Sequence, residues 1–432
     1  MIVALSVALF LLLLLVGLDV GFSMLVAALI GLLLHPSGGI DPAIVPLTLV
    51  SAVDSEALVA VPLFVLAGEI MNHGGLTKRL IDWSMAMVGH FRGALSQAAM
   101  TTNLVMAGIS GSAVSDATAT GAILIPAMKD DGYKPGYAAA VIAAGAMLGP
   151  IIPPSIPMLV YAILSNLSIG RLFLAGVVPG LLLFAGFVVL CALIARRRGY
   201  AARERAPWAA RLRETRSASW ALMVPVLIVA GIRSGLITET EAAGVICVYA
   251  LVVGLAIYRD LRWRELGTVF FGAARTSGVI LFLLAAAGPF SWLMSESHIA
   301  TRIAQAILAV SADPLVILVV VNLLLFLVGM VFEPLPALVM FVPTLLPIQA
   351  QLGIDPIQFA AIVVVNLMIG MLHPPVGLLV LITSAIGRCS LWSVAWETLP
   401  FLAWSLVVLG LMTVFPEVST ALPTLVMGRG GA

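Results

Sequence analysis

Four prolines fall within eight residues of the stretch Gly149–Pro157, which reads GPIIPPSIP: Pro150, Pro153, Pro154 and Pro157. They lie inside an apolar run from about Tyr137 to Leu164, long enough to cross a bilayer as a helix. Each proline removes a backbone donor and clashes with the turn before it. The run therefore predicts a helix broken near the membrane midplane, where the freed carbonyls must be met by protein, water or an ion. The pattern recurs at Gly370–Gly377, GMLHPPVG, again inside an apolar run. Two broken helices in matching positions are the sequence pointer to a secondary-transporter binding site.

Composition agrees with a membrane location. Of 432 residues, 62% are hydrophobic and 10% charged, against about 25% charged in soluble domains. The net charge of +1 gives no reason to expect nucleic acid as a partner. Cys191, Cys247 and Cys389 lie in or beside apolar runs, and an odd count without a CxxC predicts neither a disulfide framework nor a metal site. The first apolar run, Ile2–Val16, lacks the basic start and cleavage site of a signal peptide and reads as a retained span.

In chain order, Ile2–Val16, Val20–Leu34 and Ala57–Met71 read as spans, with a loop at Pro36–Pro42. Leu76–His90 mixes charged and apolar residues as an interfacial helix does. Ala94–Met128 is apolar but interrupted by GISGSAVSDATATG, predicting a re-entrant hairpin with its tip near Ser110–Ser112. After the broken span comes Leu172–Ala195, and then the one long hydrophilic stretch. Arg196–Arg216 holds eight of the 22 basic residues and reads as a cytoplasmic loop. Trp220–Ile232 and Ala242–Tyr258 follow as spans, the latter ending in the basic YRDLRWRE. Thr268–Trp292 is a span, Ser297–Leu308 a short mixed helix, and Pro314–Pro347 an apolar run interrupted by GMVFEPLPA. Phe359–Ile386 is the second broken span and Trp392–Phe415 the last span.

The two halves repeat. A displacement of 221 residues brings Pro126 onto Pro347, Gly132 onto Gly353, Pro135 onto Pro356, Gly149 onto Gly370, Pro153 and Pro154 onto Pro374 and Pro375, Pro179 onto Pro400, and Gly108 onto Gly329. These residues fix backbone shape. The linking span turns the second half upside down, which places Lys78, Arg79, Arg92, Lys129 and Lys134 on the side of the basic loop. The expected fold is all-α and polytopic: an initial span (1–18), a first inverted repeat (19–198), the basic loop with the linking span (199–240), a second inverted repeat (241–415) and a tail (416–432). Each repeat carries a hairpin and a proline-broken helix, as in transporters built from inverted repeats.

At Ser110–Ser112 and Gly149–Ser155 such a fold offers unpaired carbonyls and hydroxyls at midplane depth, and half-helix dipoles with them. That suits a sodium ion; the plain alternative is close helix packing by small residues. Asp116 and Glu333, nearest the two tips, are either intramembrane functional carboxylates or tip residues that reach water. Glu69 and Arg275 are the other ionisable residues within spans, Glu69 reading as a residue that snorkels to the interface. His373, before Pro374, either titrates or binds substrate, or is structural. Gly108–Gly111 reads GISG, similar to the GxSG motif of rhomboid-type intramembrane serine proteases. That chemistry needs a histidine within reach of the serine, and neither His73 nor His90 lies in a predicted span. No HExxH, GxGD or Walker A motif is present. A channel would also use carbonyl-lined sites, but two hairpins facing opposite sides argue for alternating access.

The run GISGSAVSDATATGAILIPAMKDDGYKPGYAAAVIAAGAMLGPIIPPSIPMLVY resembles the large membrane subunit of tripartite ATP-independent periplasmic (TRAP) transporters, the DctM type. So do Thr238–Gly254, TETEAAGVICVYALVVG, and Asn366–Val380, NLMIGMLHPPVGLLV. The resemblance covers nearly the whole chain. It implies a non-enzymatic, elevator-type, sodium-coupled importer of small organic acids such as C4-dicarboxylates or sialic acid, in a bacterial inner membrane. Sodium is the coupling ion and no other cofactor is implied. The implied partners are a four-span small membrane subunit (DctQ type), a periplasmic substrate-binding protein (DctP type) and the lipid bilayer. By the same resemblance Ser110, Gly111 and Ser112 with Gly149, Pro150, Pro153 and Ser155 form one ion site. Gly329, Glu333 and Pro334 with Gly370, His373 and Pro374 form the other, and substrate lies between them at Asp116, Pro154, Asn366 and Pro375. Two stretches depart from the family pattern. Glu333-Pro334-Leu335 replaces Asp-Pro-Thr, and His373 and Leu379 stand where a threonine and an asparagine are usual. A neutral imidazole is a poorer partner for a hard cation than oxygen. At the second site sodium is therefore expected on backbone carbonyls around Gly329 and Gly370, and protonation of His373 is expected to oppose it.

Overall fold

The fold is given by a computed structural model that describes residues 2–34, 41, 43–234, 238–296, 313–374 and 377–428. The described residues form an all-helical chain. In order it contains α1 (Ile2–Leu15), α2 (Val20–Leu33), α3 (Ile44–Ser51), α4 (Ala60–His73), α5 (Leu76–Val88), α6 (Ala94–Ser110), α7 (Ala113–Asp130), α8 (Pro135–Ala146), α9 (Ile156–Ser165) and α10 (Ile169–Arg198). It continues with α11 (Trp208–Ser234), α12 (Glu239–Val252), α13 (Leu266–Glu296), α14 (Pro314–Val331), α15 (Pro334–Leu352), α16 (Pro356–Gly370), α17 (Leu378–Gly387), α18 (Leu391–Val414) and α19 (Glu417–Met427). Among the described residues, six helical segments are long and apolar enough to cross a membrane, including Ile169–Arg198, Trp263–Met294 and Leu391–Val414. The chain is a polytopic membrane protein.

Both predicted breaks are present. α8 and α9 would be about 18 and 15 Å long at 1.5 Å per residue, so each is a half-span. Between them Gly149 and Ile151 close tight turns onto Ala146 and Leu148, and the Pro153–Pro154 peptide is cis. Ser155 then restarts the helix: its Oγ accepts from the Met158 amide at 3.1 Å and donates to the Pro150 carbonyl. In the second half α16 ends at Gly370, His373 N–H donates to the Gly370 carbonyl, and the chain turns through Gly377 at φ +29° into α17.

Three elements differ from the sequence reading. Arg211, Arg213 and Arg216 lie in α11, not in a loop, because Pro207 ends the coil and Trp208–Ser217 contains good helix formers. Ile44–Ser51, to which the sequence reading assigned no element, and Glu417–Met427, expected as a tail, are helices. The predicted helix at Ser297–Leu308 lies outside the described residues, as does most of the loop at Pro36–Pro42.

The helices pack as two bodies. In one, α13 packs on α2, α3 and α4, α12 on α4, and α11 on α5. In the other, α8 packs on α6, α7, α17 and α18, α14 on α16, and α10 on α18 and α19. The second body has a densely closed centre: Tyr137–Ala146 and Phe359–Gly370 are buried throughout. The bodies meet most extensively where α5 packs on α6, and also where α4 touches α6 and α9, α11 touches α6, and α13 touches α15.

Candidate functional site

The turn between α6 and α7 shows why glycine and serine occupy it. Gly111 has φ +62°, a conformation that side chains other than hydrogen disfavour. A Cβ there would also lie 2.3 Å from the Pro154 carbonyl oxygen, so hairpin and break touch through bare backbone. Ser112 is extended and caps α7, its Oγ accepting from the Ser115 amide at 3.4 Å. Ser115 Oγ in turn accepts from Asn72 Nδ2 at 2.7 Å, tying the tip to the end of α4.

Ser110 points back under the tip. Its hydroxyl donates to Asp116 Oδ1 at 2.5 Å, and the Ser112 amide donates to it at 3.3 Å. Asp116 is fully buried, and among the described residues its Oδ2 has no hydrogen-bond partner. That oxygen abuts the break: a Cβ on Gly149 would lie 2.6 Å from it. Thr120, one turn on, donates to the Asp116 carbonyl at 2.6 Å. Serine hydroxyl, aspartate carboxyl and Gly149 backbone thus meet at one buried point.

The second half has the same layout with other groups. A Cβ on Gly370 would lie 2.6 Å from Gly329 Cα, so α14 and the end of α16 also touch backbone to backbone. The tip is built without glycine: Phe332 and Glu333 are extended, and Pro334 opens α15. Asn366 is fully buried, its Nδ2 donating to the carbonyl and the side-chain oxygen of Asn322 at 2.9 and 2.8 Å. Asn322 Nδ2 donates onward to Thr413 Oγ1 at 2.9 Å. The His373 ring stands edge-on to Phe326, centroids 4.5 Å apart.

A cavity of about 430 Å³ separates the two tips from the other body. Ser110, Gly111, Ser112 and Pro150 line it from the first half, and Glu333 and Pro334 from the second. Gly149, Pro153, Ser155 and Asp116 lie behind that wall, and Pro154 meets Gly111 there. Gly329, Gly370, His373, Pro374 and Asn366 likewise do not line it, and Pro375 is outside the described residues. The opposite wall comes from Gly68 and Glu69 of α4 and from Gly272, Arg275 and Thr276 of α13. The sequence reading noted Glu69 and Arg275 only as ionisable residues in spans. Arg275 in an apolar run was the signal; its partners across the cavity were not readable.

Ser112→Ala tests the tip. Losing the cap is expected to cost about 1 kcal/mol of stability. If the hydroxyl also binds sodium directly, sodium affinity falls by about 1–3 kcal/mol. Thermal unfolding read with and without sodium separates the two: a pure cap lowers both melting temperatures equally.

Residues 7–418 match the family model described as tripartite ATP-independent periplasmic transporter, DctM component. The chain is 36% identical over 418 residues to the sialic acid TRAP transporter large permease protein SiaM of Vibrio cholerae, covering 97% of each chain. It is 37% identical over 375 residues to the 2,3-diketo-L-gulonate TRAP transporter large permease protein YiaN of Escherichia coli, covering 87% of this chain and 88% of that one. Against the C4-dicarboxylate TRAP transporter large permease protein DctM of Pseudomonas aeruginosa it is 39% identical over 366 residues, covering 85% and 86%.

Proposed function

We propose that this chain, which belongs to the DctM family of tripartite ATP-independent periplasmic transporter components, imports a small organic acid across a bacterial inner membrane on a sodium gradient. The observation that carries the reading is the cavity between the two hairpin tips and the opposing body of α4 and α13. It is large enough for a small acid, and it lies where two bodies can move against each other. In this reading 19–198 and 241–415 are inverted repeats. Their hairpins, broken helices and α10, α18 and α19 form the moving part, and the helices around α13 stay fixed. Alternating access follows from displacing one body past the other, an elevator motion. The basic stretch Arg196–Arg216 faces the cytoplasm.

Sodium would bind where polar backbone meets the tips: Ser110–Ser112 with Gly149–Ser155, and Gly329–Pro334 with Gly370–Pro374. Carbonyl and hydroxyl oxygens suit a hard cation. Binding sodium would hold each tip against its break and so shape the cavity for substrate. A small membrane subunit and a periplasmic binding protein complete the system, and the binding protein contributes much of the substrate selection. The Ser110 hydroxyl is engaged by a carboxyl rather than a histidine, which supports transport over a serine protease.

The test is reconstitution with both partners, followed by imposed gradients. Uptake is expected with an inward sodium gradient and no ATP, and it is expected to fall by at least about tenfold when the gradient is removed. Uptake undiminished without sodium rejects the coupling. Flux far above enzyme-like turnover, about 1–10³ per second, would instead mark a channel.

A further inference from the structure

We infer that Arg275 is the carboxylate-binding residue of the cavity, and that the cargo is an acid with one carboxylate and several hydroxyls rather than a dicarboxylate; this rests on the transport reading above. Gly272, Arg275, Thr276, Val279 and Leu283 all line the cavity. Their spacing puts them on one face of α13, and Arg275 is exposed on that face, where it lines the cavity. Arg275 is the tenth residue of a 31-residue helix, about 14 Å from its start at 1.5 Å per residue. It is therefore set well inside the span. An intramembrane arginine without a counter-charge is costly. Among the described residues Arg275 takes part in no salt bridge. An anionic cargo supplies the missing partner, and the planar guanidinium fork matches a carboxylate through two parallel hydrogen bonds.

The rest of the wall narrows the class. Arg275 is the one lysine, arginine or histidine among the described lining residues, and the other ionisable groups there are the carboxyls of Glu69 and Glu333. Glu69 already lies 3.7 Å from His73 Nδ1. A second carboxylate on the cargo would find no second side-chain cation, only these acids. Hydroxyl groups find partners: Ser115 and Thr276 line the same space. A polyhydroxy monocarboxylate, of the sugar-acid type, fits both features.

The experiment uses the chain with its small subunit and binding protein in proteoliposomes, at fixed binding-protein concentration. The probes are N-acetylneuraminate, gluconate and succinate. The native chain is expected to move one of the two monoanions with a lower KM than succinate. Arg275→Gln is expected to raise that KM by about ten- to a hundredfold, the worth of a charge-assisted hydrogen bond or two, with the maximal rate changed less. Arg275→Lys is expected to fall between, because the ammonium keeps the charge and loses the fork. Sodium-dependent thermal stabilisation of both variants should match the native chain, and where Arg275→Gln does not accumulate, Arg275→Lys carries the comparison. An unchanged KM in the variants overturns the assignment. So does loss of the small subunit on purification, which would place Arg275 at the subunit interface. A native preference for succinate, or no uptake of any probe, overturns the substrate class. Sodium-independent uptake with a raised KM in Arg275→Gln would overturn the coupling reading and leave Arg275 in its role.

Discussion

Gly111→Ala is expected to abolish sodium-driven uptake, while Gly353→Ala leaves it near the native rate. The two glycines have almost the same backbone, φ +62° and +63°. Their surroundings differ. An alanine methyl at Gly353 meets nothing within 4 Å, whereas at Gly111 it lies 2.3 Å from the Pro154 carbonyl oxygen. Both changes carry the cost of a left-handed alanine, about 1 kcal/mol. Only Gly111→Ala adds overpacking against rigid backbone, about 1–3 kcal/mol more. Neither partner can yield easily, because the tip is fixed by the Ser112 cap and the break by two adjacent prolines. The hairpin must therefore lift away from the break. Since the proposed ion site spans that contact, uptake is lost even where the fold survives. Thermal unfolding and proteoliposome uptake of both variants check this. Equal behaviour would mean that the hairpin does not rest on Pro154.

That contact marks how far the sequence reaches. Gly111, Gly149 and the prolines act on their own backbone, so the hairpin tip, the break and the recurrence of the break near Gly370 were legible from residue type and spacing. What those residues touch was not. α8 and α16 are apolar and buried all round, so they carry no polar stripe to say which side faces what. Nothing in sequence placed Asp116 behind the tip while Glu333 lines the cavity, or turned Asn366 towards Asn322. For Arg275 the spacing of Gly272, Thr276 and Val279 around it was available. Reading it as a cavity face needed the opposite wall, which comes from hairpin tips 58 or more residues away in the chain. α11 escaped for another reason: an arginine-rich stretch reads as solvated whether it is coil or helix, and only its Pro207 start and helix-forming residues distinguish the two.

Asp116→Asn is expected to raise the sodium concentration for half-maximal uptake by about ten- to a hundredfold, the worth of one charge-assisted contact. The argument is one of satisfaction. Asp116 is fully buried, Oδ1 is taken by Ser110, and Oδ2 has no donor among the described residues while facing Gly149 at the break. A buried polar atom left without a partner is expensive, and a buried charge more so. A carboxyl held in that state calls for a cation or proton at Oδ2 during the working cycle, and the site proposed for sodium lies against it. Asparagine keeps the shape and an acceptor for the Ser110 hydroxyl, but it removes the charge. Alanine removes both, leaving Ser110 without its acceptor at an expected cost of about 1–3 kcal/mol in stability. The pair separates two roles. If Asp116 only buckles the hairpin, asparagine leaves the half-saturating sodium concentration where it was and alanine lowers the melting temperature. If the carboxyl serves the ion, asparagine shifts the sodium dependence while the melting temperature measured without sodium stays near native.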